Sequence, residues 1–211
     1  MEPWRSQLDG NPERARAFLE ALDVLARIGG PPLHELDELA PGKRVLDVGG
    51  GLGTYARLLS EAGSHVTVVD YPLVAGWAME ELEGTGVNVV GVDVFEHPCC
   101  GVTPGSMDAA LVSHLVHDLT EKQATELLRR VRSAIAPGGH VVVNDFAADS
   151  GPGAFGALYR WGGSFDSNPR IHAGRGGVRR DKAVTLRRSP NGLHRRQPIR
   201  ISGQFPLTTD H

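Results

Sequence analysis

Residues 45–55 read VLDVGGGLGTY, and this stretch decides the fold class. It passes from an apolar β-type run through a glycine loop into a helical pattern, and glycine lets the loop approach a ligand closely at positive φ. Gly49, Gly51 and Gly53 follow the spacing G-x-G-x-G. The dinucleotide fingerprint is G-x-G-x-x-G, with Thr54 in the place of its last glycine, and the lysine of a P-loop does not follow. The loop therefore predicts a bound ligand other than a dinucleotide.

Strands and helices alternate outward from this loop. We predict strands at residues 44–48, 65–69, 87–92, 109–113 and 140–145, and helices at about 53–62, 73–83 and 120–136. Pro137-Gly138-Gly139 is typical of a tight turn between a helix and a strand. The alternation indicates an α/β fold with a mostly parallel sheet and helices on both of its faces.

An additional helix is predicted ahead of the first strand. Asn11 suits its N-cap, and the glycines at 29–30 end it. Apolar side chains recur at helical spacing between them, namely Phe18, Leu19, Leu22, Leu25 and Ile28. We expect residues 1–42 to form this N-terminal helical segment and residues 43–150 to form the ligand-binding core.

Composition excludes several other classes of protein. The 211 residues, 40% of them hydrophobic, suit one globular domain. The sequence holds no long uncharged apolar run, and its start lacks the apolar stretch of a secretory signal. Cys99 and Cys100 are adjacent, which argues against a disulfide scaffold and for a reducing compartment. We therefore expect a cytoplasmic protein that has no membrane partner.

The last part of the chain, residues 151–211, differs in character. Residues 160–211 contain 11 Arg and Lys against 3 Asp, although the whole chain has a net charge of −3. Few large apolar side chains accompany these charges, so we expect an atypical basic tail that is poorly ordered and leaves one sheet edge open. Two interpretations stay open: a shifted reading frame, or a divergent end with strands at 183–186 and 198–207. The arginines lack interleaved aromatic residues, which favours a solvated segment over a nucleic-acid interface.

Acidic residues close the next two strands of the predicted sheet. Asp70 ends the strand at 65–69, where a carboxylate can accept hydrogen bonds from both hydroxyls of a ribose. Asp93 ends the strand at 87–92 and could accept from the amino group of an adenine, with Phe95 as an apolar wall. Ligands of open α/β sheets bind at the carboxyl ends of the strands. The glycine loop, Asp70 and Asp93 occupy three such ends, so they support one another as a nucleoside site.

Several segments of the chain resemble one family: VLDVGGGLGTYA, VVDYP, GVDVF, LVHDL and LLRRVRSAIAPGGHVVVND. They look like the S-adenosylmethionine-dependent methyltransferases, and among these like the small-molecule O-methyltransferases of plant and bacterial secondary metabolism. The resemblance covers about residues 11–150. It implies a Rossmann-like methyltransferase fold with S-adenosylmethionine as cofactor. It also implies which residues hold the cofactor: Asp47, Gly49, Gly51 and Gly53 the methionine part, Asp70 the ribose, and Asp93 with Val94 and Phe95 the adenine.

The resemblance also implies a catalytic base, because methyl transfer from a sulfonium to a hydroxyl requires removal of the acceptor's proton. His117 in LVHDL matches the base position of the family's HDW motif, with Leu119 in place of the tryptophan. Asp145, at the end of the next strand, matches a family carboxylate that orients this histidine. No metal is expected. Asn144-Asp145 reverses the Asp-Asn order of metal-dependent catechol-type enzymes, and no second carboxylate stands at the neighbouring strand end.

These residues predict an O-methyltransferase that acts on a hydroxyl of a small acceptor, aromatic or polyketide-like. Two alternatives stay open. An N- or C-methyltransferase would need no base at His117, and an inactive S-adenosylmethionine-binding module would act through partners. Family members usually carry a long N-terminal helical domain that dimerises, for which residues 1–42 are too short, so a homodimer also stays open. Because the tail does not enclose the acceptor, we expect slow turnover.

Overall fold

The computed structural model of the chain describes residues 8–145 and, beyond them, only the backbone of residues 159–162, 170–173 and 184–187. In chain order the main elements are α1 (Pro12–Gly29), β1 (Arg44–Val48), α2 (Thr54–Glu61), β2 (His65–Asp70), α3 (Pro72–Glu81), β3 (Asn88–Gly91), β4 (Met107–Ser113), α4 (Glu121–Ala134), β5 (Ile135–Asn144), β6 (Tyr159–Gly162), β7 (Arg170–Ala173) and β8 (Val184–Arg187). The predicted helices and strands of the core are confirmed, with small shifts at their ends except in β5.

One sheet runs through the core in the order β3-β2-β1-β4-β5-β8. Its first five strands are parallel, and β1 lies between β2 and β4. The direction in which successive strands are added reverses at β1, and in such sheets ligands bind at the carboxyl edge of this switch point. The predicted α/β class with a mostly parallel sheet is thereby confirmed.

Apolar side chains cover both faces of the sheet, as parallel strands require. Leu46 and Val48 of β1 belong to the core that includes Leu127 and Val131 of α4. Val45 belongs to the opposite core, which includes side chains of α2. Alternate residues of one strand therefore point to different layers, and this alternation decides on which face each site residue lies.

Helix α1 begins as predicted, since the Asn11 side chain accepts a hydrogen bond from Arg14 N at 3.0 Å. Of its predicted apolar residues, Leu19 packs against buried side chains. The others, Phe18, Leu22, Leu25 and Ile28, are exposed, Ile28 to 81%. The helix thus buries one face and leaves a neighbouring apolar face exposed.

Strand β5 starts earlier than predicted. Ile135 already pairs with β4, regular pairing resumes at His140, and the residues between them loop out. Gly138 has φ +83°, a left-handed conformation that glycine adopts without steric cost. Pro137-Gly138-Gly139 is therefore an irregularity within the strand pair, and the expectation of a turn ahead of the strand is corrected.

The sheet edge beyond β5 is not open as expected. β8 pairs antiparallel with β5, from His140↔Arg187 to Val143↔Val184. The prediction of an open edge is therefore wrong for the four residues of β5 that pair with β8. The alternative prediction of a strand at 183–186 agrees with β8. β6 and β7 form a second antiparallel pair. The strand predicted at 198–207 and the order of the remaining tail lie outside the described residues.

Candidate active site

The glycine loop follows β1 directly and is closed by its own backbone hydrogen bonds. Gly49 N donates to Val69 O at 2.8 Å, and Gly53 N donates to Gly50 O at 2.9 Å. The φ angles of Gly49, Gly51 and Gly53 are +67°, +56° and +83°, in the left-handed region that side chains disfavour. The glycines therefore give the loop its shape, and their amides are engaged within the protein.

Asp70, at the end of β2, holds this loop from the neighbouring strand. Its Oδ2 accepts a hydrogen bond from Gly51 N at 2.9 Å, and its Oδ1 accepts one from Tyr71 N at 2.7 Å. Burial raises the pKa of Asp70 to about 6, although these two N–H groups act to lower it. Each carboxylate oxygen has a second lone pair, so both can still accept from ribose hydroxyls. The N–H of Gly51 is thus bonded within the protein, and the contact of Gly51 with the cofactor stays a prediction.

Asp47 lies in β1 beneath the glycine loop and is only 2% exposed. A Cβ added to Gly50 would lie 2.8 Å from Asp47 Oδ2, so the loop can pass over this carboxylate only without a side chain. Burial, and secondarily the charge of Asp70, raise the pKa of Asp47 to about 7. A positive group placed beside Asp47 would stabilise its ionised form.

We predict that Asp47→Asn stabilises the ligand-free chain, and more so at pH 8 than at pH 5. The folded-state pKa of about 7 lies above the ordinary value of 3.8. Burial favours the neutral form of Asp47. The stability that this form contributes is therefore fully present below the ordinary pKa and is lost as pH rises through about 7. Urea unfolding at both pH values should show a gain at pH 8 of roughly 1–3 kcal/mol for the variant.

Asp108→Asn is the matched control for this prediction. The Arg44 guanidinium hydrogen-bonds Asp108 and lowers the pKa of that carboxyl to about 2. The contact of the ionised Asp108 with Arg44 stabilises the fold, and this stability is present at any pH above the ordinary pKa. The control variant should therefore lose similar stability at pH 5 and at pH 8. If Asp47→Asn is less stable than the parent at pH 8, burial of the ionised Asp47 carboxylate does not destabilise the chain, and the prediction is wrong.

The segment after β3 places Asp93, Val94 and Phe95 at the same edge of the sheet. Asp93 Oδ1 accepts a hydrogen bond from Phe95 N at 2.8 Å, and its carbonyl accepts from Glu96 N and His97 N. Val94 is buried, and Phe95 packs against the core on the α4 side of the sheet. Asp93 therefore shapes a turn that fixes the two apolar residues next to it.

His117 and Asp145 meet at the carboxyl ends of β4 and β5. His117 Nδ1 lies 2.6 Å from Asp145 Oδ1, while Asp145 Oδ2 accepts hydrogen bonds from Val116 N at 2.6 Å and His117 N at 3.2 Å. Asp145 is 1% exposed. Its hydrogen bond raises the pKa of His117; burial opposes this, and the charges of Asp145 and Asp118 add to it. The carboxylate thus fixes the ring, and Nε2 is the nitrogen that would take a proton.

Leu115 connects this histidine segment to the glycine loop. A Cβ added to Gly49 would lie 2.9 Å from Leu115 Cδ2, so the two segments are in close contact. The glycine loop and the segment that bears His117 therefore lie side by side. This contact carries no signal in the sequence, because leucine is a common residue in such a segment.

A polar cluster lies beside β4 that the sequence does not indicate, because the sequence considers Asn144 only as a metal ligand and rejects it in that role. Asn144 is fully buried, and its Nδ2 donates to Ser113 Oγ at 2.9 Å and lies 3.4 Å from His114 Nε2. Ser113 and Asn144 are partners in the strand register. The pairing of neighbouring strand ends could have indicated this contact. The positive φ of His114, +51°, could not have been foreseen.

Within residues 8–145 and the three short strands beyond them, no group of three or more His, Cys, Asp or Glu could hold a metal ion. Among the helices in that part of the chain, none is long and apolar enough to cross a lipid bilayer.

The strand order and the glycine loop define an α/β protein of the Rossmann-like class. The chain belongs to the O-methyltransferase domain family, whose model matches residues 3–159. The methyl donor of this family is S-adenosylmethionine.

Two curated relatives illustrate the family. The chain is 31% identical over 153 residues to 3-hydroxy-5-methyl-1-naphthoate 3-O-methyltransferase of Streptomyces sahachiroi, covering 68% of this chain and 43% of the relative. It is 32% identical over 145 residues to eugenol O-methyltransferase of Ocimum basilicum, covering 66% and 38%. The chain thus spans about two fifths of the length of these relatives.

Solved structures of O-methyltransferases are also similar to the chain. The structure of mitomycin 7-O-methyltransferase has a TM-score of 0.60 and 26% identity, over 70% of this chain and 44% of that protein. An O-methyltransferase from neocarzinostatin biosynthesis, solved in complex with S-adenosylmethionine and 2-hydroxy-5-methyl naphthoic acid, has a TM-score of 0.60 and 27% identity, over 68% and 45%.

Proposed function

We propose that the chain binds S-adenosylmethionine across the glycine loop and transfers its methyl group to a hydroxyl of a small acceptor, aromatic or polyketide-like. The His117–Asp145 pair beside that loop carries this proposal, because it is a base with an orienting carboxylate. The names of the relatives support the acceptor class, since one acts on a hydroxynaphthoate and another on eugenol.

The residues present fit the cofactor. In the proposed arrangement Asp47 faces the positively charged methionine part under the bend of Gly49, Gly51 and Gly53. Asp70 accepts from the ribose hydroxyls, and Asp93 with Val94 and Phe95 borders the adenine. Residues 43–150 then form the cofactor-binding unit, with residues 1–42 and 151–211 flanking it.

S-adenosylmethionine supplies a methyl group already activated on a sulfonium sulfur, so the protein chiefly positions the acceptor and removes its proton. His117 Nε2 takes that proton, while Asp145 keeps Nδ1 protonated and stabilises the imidazolium that results. Because Val116 N and His117 N both donate to Asp145, the carboxylate is oriented before the acceptor arrives.

For location and assembly we propose a cytoplasmic protein that forms a homodimer. The buried, free thiols of Cys99 and Cys100 support a reducing compartment. The exposed apolar side chains of α1, which include Phe18 and Leu25, support the burial of this helix face in an assembly.

Calorimetry and a methylation screen test the proposed function. S-adenosylmethionine and S-adenosylhomocysteine should bind, and NAD should not, because the loop lacks the dinucleotide spacing. Incubation with S-adenosylmethionine should then add one methyl mass to phenols but not to amines. Tight NAD binding, or no binding of S-adenosylhomocysteine, contradicts the cofactor. Methylation of amines alone would favour an N-methyltransferase, and binding without any transfer would favour the inactive module.

A further inference from the structure

One face of α1 lies along the glycine loop and the start of α2. A Cβ added to Gly51 would have Leu19 Cδ2 as its neighbour at 3.6 Å. One turn further on, Asp23 Oδ1 accepts a hydrogen bond from Thr54 Oγ1. Positions four residues apart lie on the same face of a helix, so both contacts belong to one packed surface.

The Asp23–Thr54 contact lies where the loop becomes a helix. Gly53, the N-cap of α2, has no side chain that could cap the helix, and its φ is +83°. Thr54 is the first residue of α2, and Asp23 of α1 holds its side chain through the hydrogen bond from Oγ1. Arg27 Nε lies 2.8 Å from Asp23 Oδ2, and the carboxylate is only 15% exposed. The positive charge of Arg27 balances the negative charge of Asp23. Asp23 can therefore lie near the site without repelling an anionic group in the site.

We propose that Asp23 is a positioning residue of the cofactor site, which fixes the bend from Gly51 to Gly53 by holding Thr54. This inference rests on the proposed function, because it requires that the loop receives the cofactor. A loop that is already ordered loses less conformational entropy on binding, so its ligand binds more tightly. The N-terminal helix is then a part of the cofactor site, although the sequence assigns it no role there.

Arg16 offers a matched control on the same helix. It ties α1 to α3 through Glu80 at 3.0 Å and Glu81 at 3.6 Å, and its guanidinium lies 5.9 Å from the ring centre of Trp77. Arg16→Ala therefore removes ion pairs of α1 without removing the contact to Thr54. It should weaken the attachment of the helix but not change the glycine loop.

The experiment measures the Kd of S-adenosylhomocysteine by calorimetry and the amide exchange of residues 49–55 by mass spectrometry. Asp23→Ala and Thr54→Ala should each raise the Kd about tenfold, and the double variant should be no worse than either, since both remove one contact. Asp23→Asn should restore most of the affinity, because an amide oxygen still accepts from Thr54. Amide exchange in the loop should be faster in Asp23→Ala than in the parent.

Arg16→Ala should leave the Kd within about twofold of the parent and the loop exchange unchanged, even if it lowers Tm. Equal effects of Arg16→Ala and Asp23→Ala on the Kd would overturn the proposal, and so would additive effects in the double variant. If the parent does not bind S-adenosylhomocysteine, the proposed function fails. If the parent binds but Asp23→Ala changes neither affinity nor exchange, only this inference fails.

Discussion

His117→Gln should lower turnover on a phenolic acceptor by roughly 100-fold or more and leave the affinity for S-adenosylhomocysteine unchanged. Glutamine can still donate a hydrogen bond to Asp145, but it cannot accept the acceptor's proton at neutral pH. The loss should therefore fall on kcat, which steady-state kinetics measures, while calorimetry reports the Kd. A variant with parental turnover would show that the acceptor needs no base at this position.

The pH dependence of the parent provides a second measurement of the same base. The protonated imidazole cannot accept a proton, so the rate should rise as pH rises through the pKa of His117. Asp145 raises that pKa, so the midpoint should lie above the ordinary value of 6.5. Asp145→Asn removes the charge and should move the midpoint to lower pH while reducing the rate. A midpoint that is the same in parent and Asp145→Asn would show that this carboxylate does not act on the histidine.

The fold of the core could be predicted because its strands are local signals. The runs at β1 and β2 are rich in valine and are followed by a glycine and an acidic residue respectively, so each can be recognised on its own. The approach of His117 to Asp145 could also be expected, because the ends of parallel strands share one edge of the sheet.

The contacts of α1 could not be predicted in the same way. Its apolar pattern predicts a helix, but the arc of apolar residues is wider than the face that packs, so it does not tell which side is buried. Leu19 and Asp23 belong to the packed side, whereas Phe18 and Leu22 are exposed. The Asp23–Thr54 contact joins residues far apart in sequence and depends on how the helix is rotated against the loop. Asp70 is similar: a carboxylate at a strand end predicts a ribose contact, but nothing in the sequence shows that it accepts from Gly51 N.

Asp70→Ala should weaken the binding of S-adenosylhomocysteine by about 100-fold or more, measured by calorimetry. In the proposed arrangement it removes two charge-assisted hydrogen bonds to the ribose, each with a contribution of about 1.5–3 kcal/mol. It also removes the acceptor of Gly51 N, so the loop loses a restraint at the same time. We expect a larger loss of affinity than for Asp23→Ala, because that variant removes only a restraint on the glycine loop.

A 2′-deoxyribose analogue of the ligand separates these two effects. The parent should bind the analogue about tenfold more weakly than the ribose ligand or worse, whereas Asp70→Ala should bind both alike. If the variant still prefers the ribose ligand as strongly as the parent does, Asp70 acts only through the loop. Acid pH gives an independent check, because the pKa of Asp70 is about 6. Protonation removes the charged acceptor, so the affinity of the parent should fall as pH drops through that value, and it should fall by more than the affinity of Asp70→Asn, in which only Asp47 still gains a proton.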